Sequence, residues 1–585
     1  MKTNRIKLLH LIVISCLLSQ PNDLSQEWTI NNNFPFADEL ENIVSSEISE
    51  LSNILGVVII QDGKIISENY YNGSNQNDIF HVWSVTKSFI STLIGQSIDM
   101  GLLEDPSRSA SNFFPDYGID YTDSYTLHNL LSMSSGYQDG FFYPYWYYQD
   151  TETLLSMSHD SPGSFVYNNS ACNLNSHALY YGADMTPLEF ANIHLFPYLG
   201  IEDPIWYSEY LDINDGSASL HLNLRDMVKL GQLFLQDGYS DTNQVISSTW
   251  IEQATSPQVV TGSNGWSDLP NYGYLWWLPE LEGSFLAFGF GGQYIAVIPQ
   301  YNLVIGTHST DWGPGSLSAH QIDLRNAIFN EVVPLLSKPR VIINEILVLN
   351  ENSYSDEYAE FDSYIELFNY GSDTVDVGGY IIDNDEYGNE NYFQIQTGND
   401  STIIAPGQFL LFWLDGDLSQ GVLHGQSLLD TGGGELSLYS SSNISVDQVN
   451  YPITAPDLAY ARIENGPEWA YMDPTPNGSN LIELKNLDDD LQPELFELSQ
   501  NYPNPFNPET HIKYNLMVDT EVSLKIYDVK GREIKSLVNS DQSRGSYAIK
   551  WDATDYHGEE VSGGVYLYEI KIGLNKQVKK MILLK

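Results

Sequence analysis

The sequence predicts a multidomain protein in which one α/β sandwich with a helical insertion precedes two all-β sandwiches. At 585 residues the chain is too long for a single hydrophobic core. Before residue 338, predicted strands at both ends enclose predicted helices, which is typical of an α/β sandwich whose first and last segments share one sheet. After residue 338 no helical period appears, and short strands separated by Gly and Asp indicate all-β domains.

Residues 1–25 are predicted to form a secretory signal peptide. Three basic residues within the first seven positions precede the apolar run Leu8 to Leu18, which is too short to span a bilayer. The protein is therefore expected to be exported, with no transmembrane segment, and lipidation at Cys16 is the alternative processing. Once the signal is removed, Cys172 has no partner for an intrachain disulfide, so we expect it to be a small buried residue.

The chain is strongly acidic. It has 77 Asp and Glu residues against 25 Lys and Arg residues, and its formal net charge at pH 7 is −52. A surface of this charge repels phosphate groups, so neither a nucleic acid nor an anionic membrane is expected as a partner.

The first domain, residues 26–337, begins with a predicted hairpin followed by the helix that organises its chemistry. Asp62-Gly63 between two apolar runs is a strong hairpin signal. On the next predicted helix, Ser84 and Lys87 are three residues apart and share one face. A lysine can deprotonate a serine hydroxyl where burial or neighbouring charge lowers its pKa, so this pair is a candidate nucleophile and base. The spacing alone also fits an ordinary helix surface.

The remaining elements of this domain follow in order along the chain. A short helix over residues 126–131 precedes an aromatic loop from Tyr137 to Tyr148, which is either a wall of the substrate site or a lid packed on the core. Further helices are predicted to begin at Pro187 and Asn223. Strands are expected at residues 272–277, 285–289, 294–299 and 303–307, and a closing helix at residues 318–336.

Four short motifs occur in the order found in serine β-lactamase-related hydrolases. They are Ser84-Val85-Thr86-Lys87, Leu130-Leu131-Ser132-Met133-Ser134-Ser135-Gly136, Tyr167-Asn168-Asn169 and Gly289-Phe290-Gly291-Gly292-Gln293. Residues 50–336 resemble this family, which includes class C β-lactamases, penicillin-binding carboxypeptidases, esterases and 6-aminohexanoate-oligomer hydrolases. The run Tyr272 to Trp277 is most similar to the last group. The resemblance implies an α/β fold like that of β-lactamases and penicillin-binding proteins.

By this resemblance, Ser84 attacks a carbonyl carbon, and Lys87 and Tyr167 act as general base and acid. A tyrosine beside an ammonium group ionises more readily, which agrees with that role. The resemblance implies that Asn169 holds Lys87 and a substrate amide or carbonyl by hydrogen bonds.

The resemblance also implies an oxyanion hole formed by the backbone N–H groups of Ser84 and of a residue near Phe290. Gly289, Phe290 and Gly291 are therefore candidate substrate or oxyanion residues. Tyr137, at the start of the aromatic loop, is a further candidate for contact with substrate.

One departure from the family pattern bears on the substrate. Relatives usually carry Lys-Thr-Gly or His-x-Gly on the strand beside the nucleophile, whereas this chain has Ala287-Phe288-Gly289. The motif therefore lacks a cation that could bind the carboxylate of a penicillin or a D-alanyl peptide, which favours a neutral ester or amide. The scattered histidines show no ligand spacing, so we expect no catalytic metal and no cofactor.

Residues 338–482 are predicted to form an all-β sandwich. Its strands include Arg340 to Ile346 and Ser363 to Asn369, and it closes with Asp473-Pro474-Thr475-Pro476-Asn477-Gly478-Ser479-Asn480. These segments resemble the lamin-tail domain, an immunoglobulin-like module, which we interpret as a spacer or adhesion module.

Residues 483–496 are a charged linker, and residues 497–585 form a second small β-sandwich. Prolines at its entry, in Asn501-Tyr502-Pro503-Asn504-Pro505-Phe506-Asn507-Pro508, exclude a helix there. The domain is similar to the C-terminal sorting domain of type IX secretion substrates. This similarity implies the secretion machinery as a partner and passage across the outer membrane of a Bacteroidetes-like cell, with the protein secreted or attached to the cell surface.

The sequence therefore predicts an exported serine hydrolase that cleaves an ester or amide bond of a small molecule through a Ser84 acyl-enzyme. One alternative is a catalytically silent domain used for binding or adhesion at the cell surface. The other is a true β-lactamase or D-Ala-D-Ala carboxypeptidase. The residue pattern specifies neither the acyl group nor the oligomeric state.

Overall fold

Two units make up the described part of the chain. The computed structural model describes residues 21–138, 150–208, 212–262, 268–310, 317–384, 392–481, 496–516, 520–572 and 575–584. Unit 1 comprises the residues up to 32 together with 37–337, and unit 2 comprises residues 33–36 together with the chain from 338 onward. The predicted linker, apart from Phe496, lies outside the described residues, and the predicted domain boundaries remain predictions.

Unit 1 contains both helices and strands. Its α-helices are α1 (Ala37–Ile43), α2 (Thr86–Asp99), α3 (Leu127–Leu131), α4 (Thr151–Leu155), α5 (Asn169–Ala183), α6 (Pro187–His194), α7 (Phe196–Leu199), α8 (Leu224–Leu235), α9 (Ser248–Ala254), α10 (Leu317–Ala327) and α11 (Val333–Leu336). Its strands are β1 (Ile54–Gln61), β2 (Lys64–Tyr70), β3 (Phe80–His81), β4 (Ile205–Trp206), β5 (Leu220–Leu222), β6 (Tyr239–Ser240), β7 (Asn243–Gln244), β8 (Val259–Val260), β9 (Asn271–Tyr272), β10 (Trp277–Leu278), β11 (Phe285–Gly289), β12 (Gln293–Ile298) and β13 (Leu303–Ser309).

The strands predicted at the two ends of this domain pair in one antiparallel sheet. Its order is β2-β1-β13-β12-β11-β10-β9-β8, so β1 lies directly beside β13. The β1–β2 hairpin turns at Asp62-Gly63, both with positive φ, as that pair of residues favours. Every residue of β12 and β13 is buried, which places the centre of the sheet between covering layers. The predicted α/β sandwich is thus confirmed.

Two elements of unit 1 differ in detail from their predictions. The run 272–277, predicted as one strand, instead turns between β9 and β10, where Tyr272 pairs with Trp277 and Leu275 has a φ of 62°. The backbone N–H of Gly273 donates to the carbonyl of Trp276 and closes this turn. The closing helix is interrupted by a π-helical segment at Ile328–Val332 between α10 and α11.

The start of the described chain packs against other parts of unit 1. Leu24 is buried, and its backbone N–H donates to Ser240 Oγ at 2.9 Å. The side chain of Asn22 donates to the carbonyl of Gly63 at 2.8 Å. Because the predicted signal peptide extends to residue 25, this packing leads us to propose a mature domain that begins at or before Asn22.

Unit 2 is built from β-strands. The first group is β14 (Val341–Leu347), β15 (Tyr364–Asn369), β16 (Val375–Asp376), β17 (Ile381–Asp383), β18 (Tyr392–Gln394), β19 (Ile403–Ile404), β20 (Phe409–Trp413), β21 (Gly434–Tyr439), β22 (Ser445–Tyr451), β23 (Ala459–Arg462) and β24 (Trp469–Met472). The second group is β25 (Phe496–Leu498), β26 (Thr510–Leu516), β27 (Thr520–Asp528), β28 (Glu533–Gln542), β29 (Gly545–Trp551), β30 (Gly564–Ile572) and β31 (Asn575–Leu583).

Each group forms sheets around an apolar core, as predicted for all-β sandwiches. In the first group, the sheets β20-β15-β14-β23-β24 and β18-β17-β21-β22 bury a common apolar cluster. In the second, β25-β26-β29 and β28-β27-β30-β31 do the same around Trp551 and Tyr568. Across the described segments of both units, none of the helices has the length and apolar character needed to cross a membrane.

Candidate active site

The candidate nucleophile lies on a tight turn at the start of a buried helix. Trp83–Val85 form one turn of 3₁₀ helix that leads into α2, whose residues from Thr86 to Ser97 are all buried. Trp83 has a φ of 50°, a conformation that bulky side chains adopt at a cost of about 1–3 kcal/mol. Backbone strain of this kind immediately before Ser84 is typical of a functional turn.

Strand β11 approaches this turn closely. A Cβ atom added to Gly289, at the end of β11, would collide with the carbonyl oxygen of Val82. The next residue, Phe290, packs its ring edge-on against Trp83, with 5.3 Å between centroids. Gly291, with a φ of 87°, continues the turn into β12. The structure therefore brings the predicted strand residues beside the nucleophile turn.

Lys87 connects three parts of the site. Its side chain is only 1% exposed. The Nζ atom donates to Ser84 Oγ at 2.9 Å, which brings the predicted pair together. It also donates to Asn169 Oδ1 at 2.8 Å and to the carbonyl of Ser217 at 2.7 Å, so each of its three protons has an acceptor.

Asn169 and Tyr167 reach this lysine from the start of α5. The Asn168 side chain caps α5 by accepting from the backbone N–H of Ala171 at 2.7 Å, which orients the first turn. Asn169 is the first helical residue and binds Lys87. The Tyr167 ring centroid lies 5.0 Å from Lys87 Nζ, and the ring stacks on Trp277. Ser84, Asn169 and Tyr167 therefore all lie around the Nζ atom of Lys87.

Asp215 supports the site and was not predicted from the sequence. One of its oxygens accepts from the backbone N–H and the hydroxyl of Ser217, both at 2.9 Å, and the other accepts from the backbone N–H of Ala218 at 3.1 Å. Burial raises the pKa of the Asp215 carboxyl, while the Ser217 hydrogen bonds and the charge of Lys87 oppose that rise. Asp215 thereby holds the loop whose Ser217 carbonyl binds Lys87.

Three parts of the chain each match a family model. Residues 45–328 match the family model described as Beta-lactamase. Residues 45–328 form a β-lactamase-family domain. Residues 336–452 match the Lamin Tail Domain model, and residues 500–584 match the Secretion system C-terminal sorting domain model. The sorting domain indicates export through the corresponding secretion machinery, with the protein secreted or at the cell surface.

Three proteins each match about half of this chain. The 6-aminohexanoate-dimer hydrolase of Paenarthrobacter ureafaciens is 22% identical over 307 residues, which cover 47% of this chain and 76% of the relative. An uncharacterized protein of Alkalihalophilus pseudofirmus is 22% identical over 321 residues, covering 47% of this chain and 90% of the relative. A solved structure, the putative 6-aminohexanoate-dimer hydrolase from Bacillus anthracis, aligns with a TM-score of 0.45 at 20% identity, covering 54% and 90% of the two chains. Members of this fold family are serine hydrolases.

Tyr137, the further candidate for contact with substrate, is buried. Its side chain is 1% exposed, and its hydroxyl contacts the Tyr125 hydroxyl at 2.9 Å and donates to the Leu155 carbonyl at 3.1 Å. A ring buried in this way packs inside the β-lactamase-family domain, and its contact with substrate stays a prediction. Most of the aromatic loop, residues 139–149, lies outside the described residues.

The strand that lacks the family cation is β11. Arg325 lies against it, with its guanidinium carbon 6.0 Å from the Phe288 ring centroid. That arginine is 4% exposed and forms an ion pair with Asp268. It is therefore engaged within the β-lactamase-family domain and is not presented to a substrate carboxylate.

Cys172 is buried on α5, as expected for a residue without a nucleophilic role. Burial raises the pKa of its thiol to about 12, so the thiolate is scarce at neutral pH.

Proposed function

We propose that the β-lactamase-family domain hydrolyses an ester or amide bond of a small molecule through an acyl-enzyme on Ser84. The observation that carries the proposal is the 2.9 Å contact between Lys87 Nζ and Ser84 Oγ inside a buried site. A nucleophile needs a base within hydrogen-bond reach, and this distance meets that requirement.

In this mechanism Lys87 and Tyr167 together act as the general base that accepts the proton of Ser84. As Oγ attacks the carbonyl carbon, the proton passes to this pair, which then returns it to the leaving alcohol or amine. A water molecule attacks the acyl-enzyme in the second half-reaction, with the same pair as base. The Asn169 and Ser217 acceptors keep the lysine aimed at Ser84.

The developing oxyanion requires fixed donors. We propose the backbone N–H groups of Ser84 and of a residue near Phe290, because β11 ends directly beside the nucleophile turn. Each donor of this type typically contributes roughly 3 to 4 kcal/mol to transition-state stabilisation.

The substrate class follows from charge. Ala287-Phe288-Gly289 offers no cation, and the neighbouring Arg325 is paired with Asp268. A penicillin or D-alanyl peptide would have to bury its carboxylate near β11 without a counter-ion, which is costly. A neutral ester or amide avoids that cost.

The test compares the wild-type chain with Ser84→Ala and with Ser91→Ala as the matched control. Ser91 is a buried serine of the same helix, and its hydroxyl has no hydrogen-bond partner within the part of the chain that the structure describes, so its loss leaves the site intact. We expect turnover of p-nitrophenyl esters or linear amides by wild type and Ser91→Ala, and a loss of about 10³-fold or more in Ser84→Ala. A fluorophosphonate should label only proteins that retain Ser84.

Two other results would contradict this proposal. Equal background rates in wild type and Ser84→Ala, without labelling, would indicate a silent binding domain. Turnover of a chromogenic cephalosporin in preference to esters and amides would indicate a true β-lactamase.

A further inference from the structure

Two loops of the lamin tail domain bring a group of carboxylates and one histidine together. The first loop joins β14 to β15 and carries Asp356, Glu360 and Asp362; the second follows β20 and carries Asp415 and His424. The side-chain ligand atoms of Asp356, Asp415 and His424 lie within 4.8 Å of one another. The same holds for Asp356, Glu360 and Asp362, so Asp356 belongs to both sets.

The centre of this cluster is buried. Asp356 is 8% exposed, and the side chains of Asp415 and His424 are 5% and 1% exposed. Among the described residues, the ion pairs of these carboxylates involve only His424, with no lysine or arginine. Buried carboxylates in such numbers require compensating positive charge.

Three oxygens in these loops are buried without a hydrogen-bond donor among the described residues. They are Asp356 Oδ2, Asp362 Oδ2 and Gln420 Oε1. The other Asp356 oxygen, Oδ1, accepts from the backbone N–H groups of Tyr358 and Glu360 at 2.9 and 2.8 Å, which leaves Oδ2 for the cluster. Buried acceptors that lack donors, beside clustered carboxylates, are the complement of a cation.

The orientation of Gln420 is set by its neighbour. Its Nε2 atom donates to Glu360 Oε2 at 2.7 Å, and a carboxylate accepts only, so the unpartnered atom is the amide oxygen. An amide oxygen is an ordinary calcium ligand and adds a neutral donor to the carboxylates.

We propose that these loops form a Ca²⁺ site whose ligands are oxygens of Asp356, Asp362, Asp415 and Gln420, with Glu360 at its edge. Both ring nitrogens of His424 already contact carboxylates, Nδ1 with Asp415 at 2.7 Å and Nε2 with Glu357 at 3.3 Å. The imidazole therefore orients Asp415, and the oxygen-rich ligand set favours a hard cation. The bound ion ties the two loops together.

The test measures calcium binding to the full chain after treatment with a chelator. Equilibrium dialysis with ⁴⁵Ca²⁺ is carried out in about 0.15 M salt, which screens diffuse binding of the ion to the acidic surface. We expect one saturable site per chain, and Asp356→Asn should weaken it about tenfold or more because it removes a central charged ligand. Asp417→Asn is the matched control, since Asp417 is an exposed carboxylate of the second loop that hydrogen-bonds to Ser419.

A spectroscopic readout accompanies the dialysis. Tb³⁺ occupies calcium sites, and here the Trp413 ring, 6.5 Å from that of His424, would sensitise its emission. Emission should be displaced by Ca²⁺ and lost in Asp356→Asn. Should that variant fail to fold by near-UV circular dichroism, Asp362→Asn provides the same comparison.

Three results would overturn the assignment. The first is the absence of a saturable Ca²⁺ site in wild type. The second is equal binding by wild type and folded Asp356→Asn or Asp362→Asn. The third is stoichiometric binding of Zn²⁺ without Ca²⁺, abolished by His424→Gln, which would make the imidazole a ligand.

Discussion

The close approach of β11 to the nucleophile turn gives a direct test of the site. In Gly289→Ala, the new Cβ would lie about 1 Å closer to the Val82 carbonyl oxygen than the 3.4 Å of an ordinary van der Waals contact. Neither partner is a flexible side chain, so either the turn or the end of the strand must move by about that amount. A displacement of about 1 Å among reacting groups costs on the order of 10²-fold in rate.

We therefore expect kcat/KM for a p-nitrophenyl ester to fall about 100-fold in Gly289→Ala. Overpacking should also lower the free energy of unfolding, by about 1–3 kcal/mol. The assay combines steady-state kinetics, the rate of fluorophosphonate labelling, and thermal unfolding to verify that the variant is folded.

Gly182→Ala is the matched control. Its Cβ would overlap to a similar extent with Leu103, but with the mobile end of that side chain and on the last turn of α5. Its kcat/KM should therefore stay near that of wild type. A folded Gly289→Ala enzyme with undiminished kcat/KM and labelling rate would refute the claim that β11 sets the geometry around Ser84.

Three further predictions concern single side chains. Tyr167→Phe should lower kcat about 10²- to 10⁴-fold, because it removes the hydroxyl that carries the proton. The ring itself stays stacked on Trp277, so an unchanged kcat would exclude Tyr167 from proton transfer. Asp215→Asn should lower kcat about 10- to 100-fold, because Ser217 loses a charged acceptor; activity equal to wild type would mean that the Ser217 carbonyl is not needed to aim Lys87. In the lamin tail domain, burial raises the pKa of Glu366 to about 8 from 4.5, so the folded state holds a proton that the unfolded chain releases between these values. The contribution of protonated Glu366 to the free energy of unfolding should therefore be fully present below about pH 4.5 and be lost as the pH rises to about 8, by at most about 5 kcal/mol. Hydrogen exchange of the β15 amides should measure this loss. Glu366→Gln should abolish that slope, and an equal slope in this variant would assign the effect to another group.

Features that depend on neighbouring residues could be predicted from the sequence alone. Ser84 and Lys87 share a helix face because of their spacing, and Asp62-Gly63 turns the first hairpin because both residues tolerate positive φ. Ordered motifs also indicated that Tyr167 and Asn169 approach Lys87, although no local rule brings them there.

Contacts between distant segments were decided only by the tertiary structure. Ser217 lies 130 residues from Lys87, and nothing in the Asp215-Gly216-Ser217 turn indicates that its carbonyl binds the ammonium group. The burial of the Tyr137 ring could not be predicted either, since burial depends on packing and not on residue type. The loops that carry Asp356 and Asp415 show no ligand spacing along the chain, and the two carboxylates meet only because β14, β15 and β20 are neighbours in one sheet. Local preference acts over a few residues, whereas the positions of these groups depend on the packing of whole strands and loops.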